Sequence, residues 1–421
     1  MTEGKLKRLI KTLGPGILFA STAIGVSHLV QSTRAGAEYG FALVPFILAA
    51  NIFKYPFFEF GSRYANATGT SIIDGYRKMG KWMLWLYVGI TLVSMFFVSA
   101  AVGAVTAGFF QNLFGIASWG IWTSVLVFAG CILILIIGKY KVLDSMIKVI
   151  GAVLLLSTLI AFCLALGKGS AIDTSNFQAP EIFTDSSMIF IIALMGWMPT
   201  AVDLSAWNSL WTVERIKQTG YKPTLKETLT DFNFGYIVSA LLAICFVTLG
   251  AYVMYGSGSQ LSDNKGEFAQ QVVDMFTSYM GDWSFVIIAA AAFSIMFGTC
   301  IAVFDGYARS FERVTILSRK NQDQSSIPWM YRFSLVIVGV GSFAVVYFLG
   351  SKLKLLVDIA TIISFLIAPV IAIVNFRLVT GNQVSDEYKP KIGMRILSWL
   401  GIVFLTGFAL YYAVSRIAAL V

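Results

Sequence analysis

Charged residues are scarce in this sequence of 421 residues. Only 13% of the residues are Asp, Glu, Lys or Arg and 57% are hydrophobic, whereas soluble domains carry roughly a quarter charged residues. This composition excludes a soluble fold. The net charge is +9, but the basic residues lie in short clusters between apolar runs and form no aromatic-interleaved face, so we expect no nucleic-acid partner.

Histidine, cysteine and catalytic patterns are also scarce. His28 is the only histidine, and the four cysteines lie inside apolar runs without CxxC spacing, which indicates neither a zinc site nor a disulfide framework. The sequence contains no Ser-His-Asp, paired-carboxylate, HExxH or phosphate-cradling pattern. We therefore expect neither an enzyme nor a bound cofactor.

Apolar runs of about 20 residues, the length that crosses a bilayer as a helix, make up most of the chain. They predict an all-α integral membrane protein with about eleven transmembrane helices in a single domain, residues 1–421. We number the predicted spans 1 to 11: 13–38, 42–62, 82–113, 118–138, 145–167, 187–212, 232–255, 283–308, 329–350, 354–378 and 394–418.

The basic residues predict the orientation. They are concentrated before span 1 and after every second span, and the opposite loops carry fewer of them. By the positive-inside rule, the N-terminus is cytoplasmic and, with an odd number of spans, the C-terminus at Val421 is outside. We expect a multi-pass protein of the bacterial inner (plasma) membrane, with the lipid bilayer as partner. The basic residues include Lys5, Lys7, Arg8, Lys11, Arg77, Lys78, Lys81, Lys139, Lys141, Arg215, Lys217, Arg313, Arg319, Lys320, Arg377 and Arg395.

The longest loop on the predicted outer side, residues 255–283, contains an apolar stripe. Phe268, Val272, Phe276 and Tyr279 follow one another at helical spacing. The stripe predicts a short helix with two possible roles: an interfacial helix over the outer mouth, or a loop helix that covers the bundle.

Spans 1 and 6 contain residues that a continuous lipid-facing helix does not tolerate. Residues 25–28 of span 1 read Gly-Val-Ser-His, and residues 195–200 of span 6 read Met-Gly-Trp-Met-Pro-Thr. Proline removes a backbone donor and clashes with the preceding turn, so we expect span 6 to be kinked or unwound near Trp197. For either break alone, ordinary helix packing is the alternative interpretation.

The two breaks lie five spans apart. This spacing predicts two inverted five-helix repeats, residues 13–168 and 187–378, followed by an extra helix at 394–418. In such a fold the broken helices face one another at the bilayer midplane, where unwound carbonyls and helix ends coordinate ions or polar substrates.

Several charged residues lie inside predicted spans, where each needs a partner or a cavity. Asp305 has Arg309 four residues away, and Glu59 and Arg63 have the same spacing, so both pairs can form along their own helices. Three of the charged residues are candidates for coupling or gating: Lys54, Asp203 and Asp305.

Of these three, Lys54 and Asp203 have no local partner. We expect Lys54 to supply a fixed positive charge that replaces or modulates cation coupling. The alternative is a lysine that snorkels to the cytoplasmic interface.

The chain resembles the NRAMP family of divalent metal transporters. The resemblance lies in GPGILFA and AGAEYG of span 1, SRYANATG at the end of span 2, QNLFG at the end of span 3, YKVLDSMIKVIG entering span 5 and WMP in span 6. The second half matches only in span count and loosely in FGTCIAVFDGY of span 8. The resemblance implies a LeuT-type fold of two inverted five-helix repeats plus helix 11, which agrees with the hydropathy.

The resemblance also implies a substrate site, but one with an altered ligand set. The family's helix 1 break reads Asp-Pro-Gly-Asn and its helix 6 break reads Met-Pro-His. Met198 keeps the sulfur ligand, whereas Ala100 falls at the glutamate position of the proton path. The residues at the implied metal or substrate positions are Gly25 for the Asp, His28 for the Asn, Met195 for a coordinating carbonyl, Met198, Thr200 for the His, and Thr361 for a glutamine in helix 10.

The altered ligand set leaves two functions open. The first is transport of a divalent metal cation by alternating access, with altered or absent proton coupling and with His28 and Met198 as soft ligands. The second is transport of a small organic solute, with or without cation coupling, because the helix 1 Asp is lost and Arg34 can pair with a carboxylate. His28 is alternatively a polar residue satisfied within the break, and Met198 a residue that fills the core.

Overall fold

The computed structural model describes residue 12 and residues 14–137, 140–170, 172, 177–319 and 327–418. Throughout these ranges the regular structure is helical. Some of the residues on which the predicted membrane orientation is based lie outside the described residues. They are Lys5, Lys7, Arg8, Lys11, Lys139, Lys320 and Val421.

The helices follow one another along the chain in this order. They are α1 (Pro15–Ala23), a π-helix (Ser27–Ser32), α2 (Thr33–Tyr39), α3 (Val44–Thr68), α4 (Ile72–Met79), α5 (Lys81–Phe114), α6 (Trp122–Ile137), α7 (Tyr140–Lys168), α8 (Asp185–Gly196), α9 (Leu204–Thr219), α10 (Leu225–Met254), α11 (Lys265–Met280), α12 (Phe285–Ser318), α13 (Pro328–Leu349), α14 (Leu353–Thr380) and α15 (Ile392–Ala418).

Among the described residues each predicted span lies largely in helix, and the predicted breaks in spans 1 and 6 are confirmed. Span 1 consists of α1, the π-helix and α2, and span 6 consists of α8 and α9. Within the described residues, six helices are long and apolar enough to cross a membrane, namely α5, α10, α12, α13, α14 and α15. Spans 1 and 6 are broken, α6 is short, and α3 is interrupted by the charges of Lys54, Glu59 and Arg63. In α7 the apolar stretch among the described residues is Leu155–Lys168. Eleven crossings therefore stay a prediction.

Several predicted helix ends were wrong because hydropathy stops at the first charged residues. Helix α9 continues to Thr219 and α12 to Ser318, beyond the predicted ends at 212 and 308. Helix α10 begins at Leu225 rather than 232, since Thr224 and Glu227 form a capping box that starts the helix in a polar segment. At these three ends the helix continues beyond its apolar segment into polar residues.

Close backbone contacts attach both halves of span 1 to α10. A Cβ atom on Gly36 would lie 2.0 Å from the carbonyl oxygen of Val247, and one on Gly250 would lie 2.3 Å from that of Thr33. Near the other end, a Cβ atom on Gly235 would lie 2.1 Å from the carbonyl oxygen of Gly16. Only glycine permits such approaches, which are typical of packed membrane helices. The break in span 1 is therefore positioned against α10.

The predicted loop helix is confirmed as α11. The side chains of its stripe, Phe268, Val272, Phe276 and Tyr279, are buried, and α11 packs against α5, α7, α10 and α12. This packing supports the interpretation of a helix that covers the bundle.

Candidate functional site

The break in span 1 is short and its main chain is satisfied locally. Helix α1 ends at Ala23, and the amides of Ile24 and Gly25 donate to the carbonyls of Ala20 at 2.7 Å and Ala23 at 2.9 Å. The carbonyl of Gly25 accepts from the amides of His28 and Leu29 at 3.1 and 2.9 Å. The predicted site residue Gly25 thus lies in the break, but its carbonyl already has partners.

His28 is fully buried, and both of its ring nitrogens have partners. Nε2 lies 2.8 Å from the carbonyl oxygen of Ser239, and Nδ1 lies 2.7 Å from Oγ of Ser27. Because a carbonyl only accepts, Nε2 carries the hydrogen in this contact. The single hydrogen of the Ser27 hydroxyl is shared between Nδ1 of His28 and the carbonyl oxygen of Ala23, which lies 2.5 Å from Oγ. The imidazole is directed at α10, which is the arrangement of a polar residue satisfied within the break.

The break in span 6 is longer. Helix α8 ends at Gly196 and α9 begins at Leu204, with a cis Met198–Pro199 peptide between them. The indole Nε1 of Trp197 donates to Oγ of Ser364 on α14 at 2.8 Å. A Cβ atom on Gly196 would lie 2.1 Å from the carbonyl oxygen of Thr361, so the end of α8 touches the α14 backbone.

Lys54 of α3 reaches into this break. Its Nζ donates to the carbonyl oxygens of Met195 at 3.0 Å, Gly196 at 2.9 Å and Thr200 at 2.7 Å. An ammonium group has three hydrogens, so all of them are used. The side chain is completely buried, and the alternative of a lysine that snorkels to the interface is therefore wrong. Two of these carbonyls belong to the predicted site residues Met195 and Thr200.

A small cavity separates the two breaks. Its volume is about 20 Å³, which is room for one water molecule. Its polar lining consists of the Thr22, Ser27, Thr200 and Thr299 side chains, with Trp197 also on its wall and valine, alanine and leucine elsewhere. Of the predicted metal or substrate residues, only Thr200 lines this cavity.

Acidic ligands are sparse around the breaks. In the part of the chain that the structure describes, no group of three or more His, Cys, Asp or Glu side chains can hold a metal ion. Asp203, at the start of α9, is buried and interacts electrostatically with the Lys54 ammonium. Met198 is also completely buried and does not line the cavity.

A polar network connects span 1 with α14 beyond the break. Nη1 of Arg34 donates to Oδ1 of Asp358 at 2.7 Å, and Nε2 of Gln31 donates to the same oxygen at 3.0 Å. The guanidinium of Arg34 lies 4.6 Å from the centre of the Phe190 ring. Thr361 donates to the carbonyl oxygen of Val357 on its own helix at 3.0 Å. Arg34, predicted to pair with a solute carboxylate, is therefore paired within the protein.

Sequence reasoning missed Asp358 in this network, although a signal was present. Asp358 is an acidic residue within the apolar predicted span 10, which is the same signal that identified Lys54. Its partner Arg34 lies 324 positions earlier in the chain, so no local spacing indicates the pair.

Asp305 belongs to a different cluster. It accepts from Nε of Arg309 at 2.8 Å, from the Tyr331 hydroxyl at 2.8 Å and from the Trp211 indole at 3.3 Å. The predicted Asp305–Arg309 pair is confirmed, and so is the predicted pair of Glu59 with Arg63. These partners bind the Asp305 carboxylate, and its predicted role in coupling or gating stays a prediction.

Two interrupted helices that face one another across a small cavity are typical of the class of secondary transporters. The family model described as "Natural resistance-associated macrophage protein-like" matches residues 16–415. The chain therefore belongs to the Nramp family.

Individual relatives agree with this assignment. The chain is 33% identical over 407 residues to "Uncharacterized protein PM0681" of Pasteurella multocida, covering 96% of this chain and 92% of that protein. It is 22% identical over 307 residues to the "Divalent metal cation transporter MntH" of Latilactobacillus sakei, covering 71% and 64%. A crystal structure of the Eremococcus coleocola manganese transporter has the same fold, with a TM-score of 0.75 at 14% identity, covering 100% of this chain and 89% of that one.

Proposed function

We propose that this protein is a secondary transporter, not an enzyme, that moves a divalent metal cation across the membrane by alternating access. The family and the name of the Latilactobacillus sakei relative support this cargo. The observation that carries the proposal is the convergence of three main-chain carbonyls at the break of span 6 on one positive charge. Oxygen atoms in this arrangement can bind a cation, and we call the carbonyls of Met195, Gly196 and Thr200 the cation seat.

The proposal includes the finer architecture predicted from the sequence. The chain has eleven spans, inverted repeats at 13–168 and 187–378 and an extra helix at 394–418, in a bacterial inner membrane with a cytoplasmic N-terminus. Gly25, His28, Met195, Met198, Thr200 and Thr361 surround the cargo path.

The cation seat differs from one built for a free divalent ion. The Lys54 ammonium occupies the three carbonyls, so an arriving metal ion meets its positive charge. A divalent cation in mid-membrane also needs negative charge nearby, and Asp203 is the carboxylate that interacts with Lys54. We therefore propose that the metal site is altered and that Asp203 supplies the missing charge.

Uptake of metal into proteoliposomes tests this function. Liposomes with the wild-type protein are expected to accumulate Mn²⁺, Fe²⁺, Co²⁺ or Mg²⁺ above protein-free liposomes, and Asp203→Asn is expected to lower the uptake at least tenfold. Asp263→Asn is the matched control, because Asp263 is an exposed carboxylate whose lysine partner, Lys354, lies 3.6 Å away. No uptake of any of the four ions would contradict a metal cargo.

The second candidate cargo is a small organic solute. It is favoured by the chemistry of the cavity, whose lining offers hydroxyl groups and one indole but no carboxylate. A ligand that binds only the folded state raises the melting temperature. A rise with an organic compound, with none for the four metal ions, would support this cargo in place of a metal.

A further inference from the structure

Lys54 is held by the main chain of another helix rather than by a carboxylate. The three accepting carbonyls belong to residues 141 to 146 positions further along the chain. Two of them, those of Met195 and Gly196, are at the C-terminal end of α8, where the last carbonyls of a helix are open to donors from outside the helix. The carbonyl of Met195 also accepts from the amides of Trp197 and Met198. The third, that of Thr200, is inside the non-helical segment.

Other lysines bond to carbonyls in a different way. Lys168 donates to one carbonyl, that of Tyr279, at 3.1 Å, and Lys265 donates to the carbonyl of Gly120 at 3.0 Å and to the hydroxyl of Ser124 at 3.1 Å. Neither is completely buried, whereas Lys54 is. Several carbonyls around one buried charge resemble the oxygen rings that replace the hydration shell of an alkali ion.

We infer that the break of span 6 is a monovalent-cation site whose resident occupant is the ammonium group of Lys54. The lysine takes the place that a free alkali ion would take, so the wild-type protein works with a tethered cation here and needs no free one. The inference rests on the proposed function only for the location of the transport site. It holds whether the cargo is a metal ion or an organic solute.

Removing the lysine side chain would uncover this site. In Lys54→Ala the carbonyl oxygens of Gly196 and Thr200 lose their lysine donor, and that of Met195 keeps only its amide donors, inside a membrane protein where buried polar groups are costly. The carboxylate of Asp203 loses its positive neighbour at the same time. A potassium or sodium ion can restore both interactions, since it brings the same charge to the same oxygens.

The test is thermal unfolding of the purified protein in detergent with EDTA, in choline chloride, potassium chloride or sodium chloride at equal ionic strength. Lys54→Ala is expected to melt at least about 2 °C higher in potassium or sodium than in choline, with a saturable dependence on concentration. Wild type and Lys54→Arg are expected to melt alike in all three salts. Lys265→Ala is the matched control, because it removes a lysine bonded to one carbonyl outside the spans.

Two results would overturn the inference. One is a folded Lys54→Ala protein with the same melting temperature in all three salts, and the other is a wild-type protein stabilised by potassium or sodium as strongly as the variant. If Lys54→Ala is not recovered in choline, it must be recovered when purified throughout in potassium chloride, and failure in both salts also counts against the site. The measurement contains no divalent metal, so failure of metal uptake leaves it unaffected.

Discussion

The two breaks of the membrane bundle satisfy their main chains in different ways. At residues 24–26 the chain of span 1 continues almost at once into a π-helix, and its loosened carbonyls find partners nearby. Span 6 stays open for longer, at residues 197–203, and the carbonyls of Met195, Gly196 and Thr200 bond to a lysine from α3. The carbonyls of a broken helix can therefore be satisfied by nearby residues of the same span or by a charged side chain from another helix. Only the second arrangement creates a cation seat.

Hydroxyl side chains in and after the span 1 break explain why its main-chain carbonyls need no partner from another helix. The hydroxyls of Ser32 and Thr33 donate to the carbonyls of Ser27 at 3.1 Å and His28 at 3.3 Å, five residues earlier in each case. Ser27 donates to the carbonyl of Ala23 at 2.5 Å. Wide π-type turns weaken the main-chain ladder, and hydroxyl side chains bonded to earlier carbonyls compensate for it. These hydrogen bonds thus stabilise the break.

The largest effect on stability is expected from Gly196→Ala, which places a methyl group at the end of α8, where span 6 breaks. The new Cβ atom would lie 2.1 Å from the Thr361 carbonyl oxygen, and backbone cannot yield as a side chain can. We expect a loss of about 3 kcal/mol or more of stability, or no folded protein. Thermal unfolding in detergent measures this, with Gly89→Ala of α5 as control because nothing lies within 4 Å of its Cβ position. Equal melting temperatures for the two variants would refute the close approach.

A smaller effect is expected from the ion pair that ties span 1 to α14. The Arg34 side chain is 7% exposed and that of Asp358 is 23% exposed, so removing either partner leaves a poorly solvated charge. We expect Arg34→Gln or Asp358→Asn to cost about 2 kcal/mol, and the double variant to cost less than the sum. Asp386→Asn, which removes an exposed partner of Lys389, should have no measurable effect. Additive losses would show that the two charges are not coupled.

The smallest effect is expected from Gly25→Ala, the counterpart of Gly196→Ala at the span 1 break. Its Cβ atom would lie 3.0 Å from the Thr299 side chain, which can shift by a few tenths of an ångström. We expect a cost below about 1 kcal/mol. If this variant were as damaging as Gly196→Ala in the same unfolding assay, the packing around the two glycines would be equally tight and the expected difference between the two breaks would be wrong.

The sequence predicts the helices and both breaks well because each is indicated by the type of residue present. Long apolar runs mark the spans, and Pro199 and the glycine and polar residues around His28 mark the breaks. The depth of Lys54 was also visible as a charge in an apolar run. The partners of Lys54 were not visible in the sequence, because every residue type has a main-chain carbonyl. These carbonyls are also distant from α3 in the sequence and come close to Lys54 only in the folded protein.

The roles of individual residues at the site were harder to predict. A histidine inside a broken helix suggests a ligand, yet the carbonyl of Ser239 on α10 fixes the ring of His28. Sequence cannot reveal this contact because the acceptor is again main chain, 211 positions away. Arg34 likewise suggested a solute partner until packing placed Asp358 beside it.

The most direct test of the cation seat is anomalous diffraction from crystals of Lys54→Ala grown in rubidium chloride. We predict one anomalous peak bonded by the carbonyl oxygens of Met195, Gly196 and Thr200, and no peak there in wild-type crystals grown in the same salt. Ordered carbonyls in the variant with no rubidium between them, or a peak at that place in the wild type, would contradict the account.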